Sequence, residues 1–242
     1  MAFVLESATL SNVGLVRARN EDVAGEAPEH GLFVVADGMG GHLGGDVAAR
    51  LTVDTILAYL QTVSPEKAMA EVPEAVRLAN EAVLDKASTD RSLRGMGSTV
   101  VICWERDGEM VYGHVGDSRI YLLRGGELRQ LTEDHSLVTQ LLATGQISEA
   151  EAERFIYKHV ITRAIGTRRQ ILADVDGMAM LPGDIFLLCT DGLTDGVSDD
   201  QIRTILNTTS DPKIMAQKLV DAALDGGGRD NVTVTLLKVK NA

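Results

Sequence analysis

Hydrophobic residues along the chain change their spacing from region to region, and each spacing predicts a different element. A continuous apolar run at residues 31–36 predicts a buried strand that ends at Asp37. Apolar residues at intervals of three and four then predict a helix over residues 45–61. A second helix is expected from Ser64-Pro65 to about residue 88, because Ser is a good N-cap and Pro fits the first helical turn. The pattern thus predicts one buried strand followed by two helices.

The next region, residues 97–131, has the composition and spacing of β-strands. The pairs Asp107-Gly108 and Gly125-Gly126 predict tight hairpin turns, since both positions of each pair can adopt positive φ. Consecutive hairpins favour antiparallel sheets over the parallel sheet of a dinucleotide-binding fold. The predicted strands cover residues 97–105, 110–115, 119–123 and 127–131.

The remaining residues return to a mixed pattern. We expect antiparallel sheets with helices outside them, an α/β (α+β) sandwich. No internal repeat or linker interrupts residues 1–242, which favours a single domain. Residues 134–170 predict irregular helical structure. The other predicted elements are strands at 172–180, 184–190 and 231–239, helices capped by Ser148 and Ser198, and a helix starting at Asp211-Pro212.

Composition and charge narrow the classes of function. The 242 residues include 23 Lys and Arg against 35 Asp and Glu, a net charge of −12. No basic patch interrupts this balance, so we expect no nucleic-acid partner. The acidity suits divalent cations and cationic segments of protein partners, although on its own it indicates only solubility.

Cysteine usage and hydropathy indicate the cellular environment. Cys103 and Cys189 lie in apolar runs, which predicts buried thiols rather than a disulfide or a zinc site. The first residues lack the basic and apolar regions of a signal peptide, and no apolar run approaches the ~20 residues of a membrane span. We therefore expect a soluble, reduced, cytoplasmic protein without membrane association.

Acidic residues recur at the ends of the predicted strands. Asp37 and Asp191 each follow a strongly apolar strand, where an unpaired carboxylate would be costly. Asp117 follows another strand, Asp230 precedes the last one, and Glu21-Asp22 lies in a short strand or turn. Because strand ends are rigid, such carboxylates can converge on Mg²⁺ or Mn²⁺, which prefer oxygen ligands. From these residues alone, a metal site and ordinary Asp-Gly turns remain equally open.

The glycine-rich stretch at residues 38–45 does not fit a nucleotide-binding loop. It lacks the Lys-Ser/Thr ending of a P-loop, and Leu43 occupies the position of the third glycine of the dinucleotide fingerprint. These glycines are better suited to a tight backbone path beside a metal-bound phosphate.

Seven short motifs span nearly the whole chain. They are RARNED at residues 17–22, VADGMGG at 35–41, GMGST at 95–99, GHVGDSR at 113–119, LTEDH at 131–135, CTDGLTD at 189–195 and GRDN at 228–231. Each motif alone is weak. In this order they resemble the metal-dependent protein phosphatases, the type 2C serine/threonine phosphatases, in their short bacterial form.

The resemblance implies a four-layer αββα sandwich, with two mainly antiparallel sheets flanked by helices. It also implies a catalytic site with two divalent cations, Mn²⁺ or Mg²⁺, and a possible weaker third. In that arrangement Asp37 bridges two metals, and Asp191 and Asp230 complete the first metal site.

The same resemblance implies ligands for the other cations. The second metal would be held by Asp22 and by the Gly38 carbonyl, with Glu21 as a further candidate. The weaker third metal would be held by Asp117 together with Asp191.

The implied mechanism is direct attack of a metal-bridging water on phosphorus, with Arg17 binding the substrate phosphate through its planar fork of donors. Eukaryotic relatives carry a His two residues after the bridging Asp, as a proposed general acid. Here that position is Met39, and His42, three residues further on, is a candidate substitute. Residues 138–168 would form a flap beside the site.

The implied function is hydrolysis of phosphoserine and phosphothreonine on proteins, reversing bacterial Ser/Thr kinase signalling. The expected partners are phosphorylated proteins, including a Ser/Thr kinase, and the expected state is a monomer. Two alternatives remain open: a phosphatase for small phosphoesters on the same scaffold, and a non-catalytic pseudophosphatase that serves as a binding module.

Overall fold

The computed structural model describes residues 3–40, 44–64, 67–152, 154–157 and 160–241. The strands are β1 (Phe3–Asn12), β2 (Asp22–Ala27), β3 (Leu32–Met39), β4 (Gly97–Ser98), β5 (Val100–Arg106), β6 (Glu109–Val115), β7 (Arg119–Arg124), β8 (Glu127–Gln130), β9 (Asp174–Ala179), β10 (Ile185–Cys189) and β11 (Val232–Asn241). The helices are α1 (Gly45–Leu60), α2 (Ala68–Thr89), α3 (Leu137–Ala143), α4 (Glu149–Ala152), α5 (Asp191–Thr194), α6 (Asp199–Asn207) and α7 (Pro212–Asp225).

These elements form four layers around three apolar cores. One sheet has the strand order β1-β11-β10-β7-β8, and the other has the order β2-β3-β5-β6-β9, with β4 paired to β3. One apolar layer joins α1 and α2 to the β3 sheet, and another joins α6 and α7 to the β10 sheet. The third lies between the two sheets. The predicted αββα sandwich with antiparallel sheets is confirmed.

The two-residue period of β3 explains how one strand serves two cores. Leu32 and Val34 face α1 and α2, whereas Phe33 and Val35 face the other sheet. All four side chains are at most 1% exposed. Burying each such side chain contributes about 1.5–3 kcal/mol, so the apolar run is stabilising on both faces of the sheet.

Most predicted elements are present, and their ends differ for local reasons. β3 continues two residues beyond Asp37, because its last residues pair with the short strand β4. The second helix begins at Ala68 with Lys67 at its N-cap, so the start predicted at Ser64 is wrong. Pro65 lies outside the described residues. Asp191 is the first residue of α5 rather than the end of a strand.

The strand β1 was not predicted from the pattern, and β2 was predicted only as a short strand or turn at Glu21-Asp22. β1 pairs along its whole length with β11, the last strand of the chain, from Phe3 opposite Asn241 to Asn12 opposite Val232. Since its partner lies more than 200 residues away, nothing in the nearby sequence specifies the pairing. β2 pairs with β3 from Asp22 opposite Asp37 to Ala27 opposite Leu32.

In the segment between β8 and β9, the described residues form the short helices α3 and α4 and irregular backbone. The flap predicted at residues 138–168 falls within it, and its boundaries remain a prediction. Both cysteines are buried and free, as expected. Over the described residues, no helix has the length and apolar character needed to cross a bilayer.

Candidate active site

The carboxylates lie where the layer between the sheets reaches the surface. Phe33 and Val35 point into that layer, and the two-residue period of a strand directs Asp37 to the same side. Asp22 lies directly opposite Asp37 in the β2–β3 register. The face of β3 that is apolar at Phe33 and Val35 therefore becomes acidic at Asp37, with Asp22 beside it.

Asp37 is held firmly by its neighbours. Its backbone N–H donates to Thr99 Oγ1 at 3.0 Å, and its carbonyl accepts from the Thr99 N–H at 2.9 Å and from Ser98 Oγ at 2.9 Å. Burial, followed by the negative charges of Asp22 and Asp191 and of more distant carboxylates, raises the pKa of Asp37 well above its ordinary value. Such a group requires a proton or a cation to be stable.

An open cleft of about 970 Å³ exposes this end of the layer. Asp191, at the start of α5, and Asp230, two residues before β11, both border it together with Asp37. Residues in or next to three strands from two sheets, β3, β10 and β11, thus place carboxylates around one space. The residues lining the cleft are Arg17, Ala18, Arg19, Glu21, Asp37, Gly38, Met39, Gly40, Ile161, Asp191, Asp195, Arg229, Asp230 and Asn231.

Arg17 is the arginine of the cleft that pairs with one of these carboxylates. Its Nη2 donates to Asp230 Oδ2 at 2.6 Å, and its side chain is 54% exposed. The hydrogen bond to Asp230, together with the charges of Asp37 and Glu21, raises the pKa of Arg17. The guanidinium is therefore charged, reachable from solvent and directed at the acidic cluster, as binding of a phosphate requires.

Glu21 and the Gly38 carbonyl lie together at the start of α1. A Cβ placed on Gly45 would be 2.5 Å from Glu21 Oε2 and 2.7 Å from the Gly38 carbonyl oxygen. Only glycine at this position leaves room for the two oxygens. Burial and the charge of Asp46 raise the pKa of Glu21, which lines the cleft. These two oxygens form a second place where a hard cation fits.

Asp22 lies deeper than its neighbour Glu21. Its side chain is buried, and Oδ2 accepts a hydrogen bond from Thr190 Oγ1 at 2.9 Å, whereas Oδ1 has no hydrogen-bond partner among the described residues. Burial raises the pKa of Asp22 to about 7, against the effect of hydrogen bonds from Thr233 and Thr190. Asp22 therefore supports the site from behind the cleft.

Asp117 sits at the turn that follows β6, near enough to Asp191 for their charges to interact. It is 8% exposed, and its Oδ1 is buried without a hydrogen-bond partner in the described part of the chain. Burial, and then the charge of Asp191, raises the pKa of Asp117 to about 7. Like Asp22, it has an oxygen suited to a cation or to a water bound to one.

A histidine cluster near this turn is a hydrogen-bond network. His135 Nδ1 accepts from the Gly116 N–H at 3.1 Å, so the ring proton is on Nε2, which donates to Asp174 Oδ2 at 3.1 Å. His114 Nε2 donates to the Glu133 carbonyl at 2.8 Å. Burial lowers the pKa of His135 to about 4, so the ring is neutral. With both nitrogens of His135 engaged, the cluster supports structure rather than a metal.

The predicted site residues converge to different degrees. The structure brings Arg17, Glu21, Asp37, Asp191 and Asp230 to one cleft, together with the Gly38 backbone. Asp22 and Asp117 are buried and are not among the residues that line the cleft, but their charges act on Asp37. His42 lies outside the described residues, and Met39 lines the cleft at the position where the eukaryotic relatives have a histidine.

Several polar residues that position the carboxylates were not identified from the sequence. Thr99 supports Asp37, and Thr190 joins Asp22 to the Thr233 N–H at 3.0 Å. Asn231 accepts from the Glu21 N–H at 2.8 Å. Thr99, Thr190 and Asn231 each adjoin a motif aspartate or lie in a motif, and that proximity was the available signal.

Comparison with known proteins agrees with this geometry. The family described as protein phosphatase 2C matches residues 18–223, and the chain belongs to this family. The chain is 38% identical over 242 residues to the serine/threonine protein phosphatase PstP of Mycobacterium tuberculosis. This match covers 99% of the chain and 46% of PstP, so the chain spans about half the length of that relative.

Two further matches cover almost the whole of both partners. The protein phosphatase PhpP of Streptococcus pneumoniae is 35% identical, over 97% of this chain and 98% of PhpP. The solved catalytic domain of PstP in complex with two manganese ions is 36% identical with a TM-score of 0.90, over 99% of this chain and all of that one. The family and its fold are therefore shared along the full chain.

Proposed function

We propose that this protein is a divalent-cation-dependent serine/threonine protein phosphatase. The observation that carries the proposal is the meeting of several carboxylates around an open cleft, where Arg17 pairs with Asp230. The relatives named as serine/threonine protein phosphatases support this reaction class. No residue beyond the family motifs is needed to complete the proposed site.

The donor set fits hard divalent cations. It consists of carboxylate and carbonyl oxygens, and the manganese complex of the PstP catalytic domain supports Mn²⁺ as one such cation. We assign one cation to Asp37, Asp191 and Asp230. We assign a second to Asp37, Glu21 and the Gly38 carbonyl, because the last two flank the same glycine. When bound, two such cations would neutralise the phosphate and acidify a water near neutral pH.

Asp22 and Asp117 have supporting positions in this proposal. Their buried oxygens without hydrogen-bond partners suit a water bound to a cation, or a cation at partial occupancy. Because Glu21 lines the cleft and Asp22 lies behind it, we favour Glu21 as the direct ligand. A weaker third cation between Asp117 and Asp191 remains a prediction.

The chain's own residues orient the phosphate and its attacker. Arg17 can offer two parallel N–H donors to phosphoryl oxygens when it leaves Asp230, its partner at 2.6 Å. Burial raises the pKa of Cys103 and Cys189, so neither thiol can serve as a nucleophile. Because neither cysteine can attack phosphorus, direct hydrolysis by water is favoured. The identity of the general acid, with His42 as the candidate, remains a prediction.

The surroundings of the cleft favour a protein substrate over a small phosphoester. Exposed apolar side chains occur close in sequence to two of its lining residues, Arg17 and Ile161. A small phosphate ester would leave them in water, whereas a peptide chain would cover them. They are Val13, Leu15 and Val16 near Arg17, and Ile156, Tyr157 and Val160 near Ile161.

The choice between these substrates can be tested by replacing the exposed apolar side chains near Arg17. In Leu15→Ser/Val16→Ser, we expect KM for a phosphothreonine protein to rise about fivefold or more, because two apolar contacts are lost. The KM for an aryl phosphate should change less than twofold, since that small substrate does not extend to these side chains. Equal changes for both substrates would favour the small-phosphoester alternative.

Catalysis itself is tested by hydrolysis of a phosphothreonine peptide by metal-free protein to which Mn²⁺ is returned. We expect no turnover under full chelation and saturable recovery with Mn²⁺. Peptide binding without turnover at any cation concentration would instead favour the pseudophosphatase alternative. A bacterial Ser/Thr kinase as partner, a cytoplasmic location and a monomeric state remain predictions from the sequence.

A further inference from the structure

Asn231 makes three hydrogen bonds to the backbone of one segment. Its Nδ2 donates to the carbonyls of Val13 and Arg19, both at 2.9 Å, and its Oδ1 accepts from the Glu21 N–H at 2.8 Å. The residue is 5% exposed. Both amide protons and the carbonyl oxygen are engaged, so the side chain is committed to the backbone and is not a ligand.

The segment held in this way is the loop that carries Arg17. Residues 13–21 contain no helix or strand, and the amide of Asn231 joins the two ends of the loop. The loop also rests on the residues before Asn231, because the Leu15 N–H donates to the Gly228 carbonyl at 2.7 Å. At Gly14, a Cβ would lie 2.2 Å from the Asp230 carbonyl oxygen, which leaves no room for a side chain.

We propose that Asn231 is a positioning residue that holds the Arg17 loop in the geometry needed to bind the substrate phosphate. This inference rests on the proposed function. Arg17 has one ion pair and a half-exposed side chain, so its location depends on the loop backbone. Without the amide, two carbonyls and one N–H lose their partners, and the loop can shift. A displacement of about 1 Å at a positioning group costs up to a hundredfold in rate.

The effect of Asn231 can be separated from that of its neighbour Asp230. The backbone N–H of Asn231 donates to Asp230 Oδ1 at 2.8 Å, and Asn231→Ala and Asn231→Ser both keep this donor. Because Asn231 Oδ1 also holds the Glu21 N–H, the variants are compared at saturating Mn²⁺, where replacement of Asn231 should weaken phosphate binding.

Asn80 on α2 provides a matched control. Its Oδ1 accepts from the Gly166 N–H at 2.7 Å, and its Nδ2 donates to the carbonyls of Arg168 and Arg169 at 2.9 and 3.3 Å. It is fully buried and holds a different loop with the same chemistry. Loss of either amide should lower stability, but only Asn231 should be coupled to Arg17.

The test is a pair of double-mutant cycles, Asn231→Ala with Arg17→Ala and Asn80→Ala with Arg17→Ala. For each variant, kcat/KM for an aryl phosphate and the inhibition constant of inorganic phosphate are measured at saturating Mn²⁺. We expect Asn231→Ala to weaken phosphate inhibition about tenfold or more in the Arg17 background, and less than twofold in Arg17→Ala. The Asn80→Ala effect should be equal in both backgrounds.

The outcomes distinguish this inference from the proposed function. An Asn231→Ala effect on phosphate inhibition that is equal in both backgrounds would overturn the positioning role. An inactive wild-type protein would instead overturn the phosphatase assignment. If Asn231→Ala does not fold, Asn231→Ser, whose hydroxyl keeps one donor and one acceptor, is carried through the same cycle with the same expected coupling.

Discussion

The layer between the two sheets has an apolar centre and an acidic end, built by the same strands. On β3, Phe33 and Val35 lie in the centre, and Asp37 follows on the same face. On β10, Leu188 lies in the centre, and Thr190 follows two residues later beside Asp22. The alternation that packs the core thus also brings polar groups from both sheets together at its end.

The two regions differ in what their burial does. At the centre, removal of apolar surface from water stabilises the fold. At the acidic end, burial and mutual repulsion raise the pKa values of Asp37, Asp22 and Asp117, so the ionised carboxylates are costly until a cation arrives. Stability and function are therefore separable by substitutions only two residues apart on one strand.

The largest effect on turnover is expected for Asp37→Asn. Loss of the carboxylate shared by both proposed cations should lower kcat/KM for a phosphothreonine peptide at least about a thousandfold, equivalent to about 4 kcal/mol. The melting temperature of the metal-free protein should not fall, because one buried negative charge is removed. Rates within tenfold of the wild type would contradict the assignment.

Thr190→Val probes the boundary between the two regions. The variant keeps the shape of the side chain but removes the hydroxyl that donates to Asp22 and accepts from the Thr233 N–H. We expect kcat/KM to fall about 10- to 100-fold, as for other groups that orient metal ligands, and stability to fall by about 1–3 kcal/mol. Unchanged Mn²⁺ affinity and rate would show that this hydroxyl serves the fold alone.

Leu188→Ala, two residues earlier on β10, should have the opposite balance. Leu188 is fully buried, and the substitution leaves a cavity that lowers the free energy of unfolding by about 2–5 kcal/mol in urea titrations. Well below the melting temperature, kcat/KM should remain within about twofold of the wild type. A large loss of rate in a folded Leu188→Ala variant would mean that the two regions are not separable.

The smallest effect is expected for the pH dependence of the metal-free protein. Asp22 and Asp117 have pKa values near 7, raised from 3.8, so the folded state binds protons more tightly than the unfolded state. Their stabilising contribution is present below about pH 4 and is lost as the pH rises toward 7. Between pH 5.5 and 8 the melting temperature should fall by about 4 °C or more in chelator. Mn²⁺ should reverse this trend, and a rise in chelator would contradict it.

The fold was largely predictable because its signals are local. Alternation, capping residues such as Ser198 and hairpin pairs such as Asp107-Gly108 act within a few residues, and the reciprocal Ser198–Gln201 capping box is present. β1 was not predictable in the same way, since its partner β11 lies at the other end of the chain.

The candidate site was predictable as a set of residues but not as an arrangement. Glu21 and Asp22 are adjacent in the sequence. Only the register of β2 against β3 places Asp22 opposite Asp37, whereas Glu21 lines the cleft. The hydrogen bonds of the Asn231 amide join residues more than 200 positions apart, so no short-range pattern specifies them.

The most direct test of the contrast between apolar centre and acidic end is a calorimetric titration of metal-free protein with Mn²⁺. It compares the wild type with Asp37→Asn, with Leu188→Ala as the matched core variant. We predict at least two Mn²⁺ bound by the wild type and by Leu188→Ala, and loss of the tight sites in Asp37→Asn. Identical isotherms for the wild type and Asp37→Asn would contradict the proposed cation site.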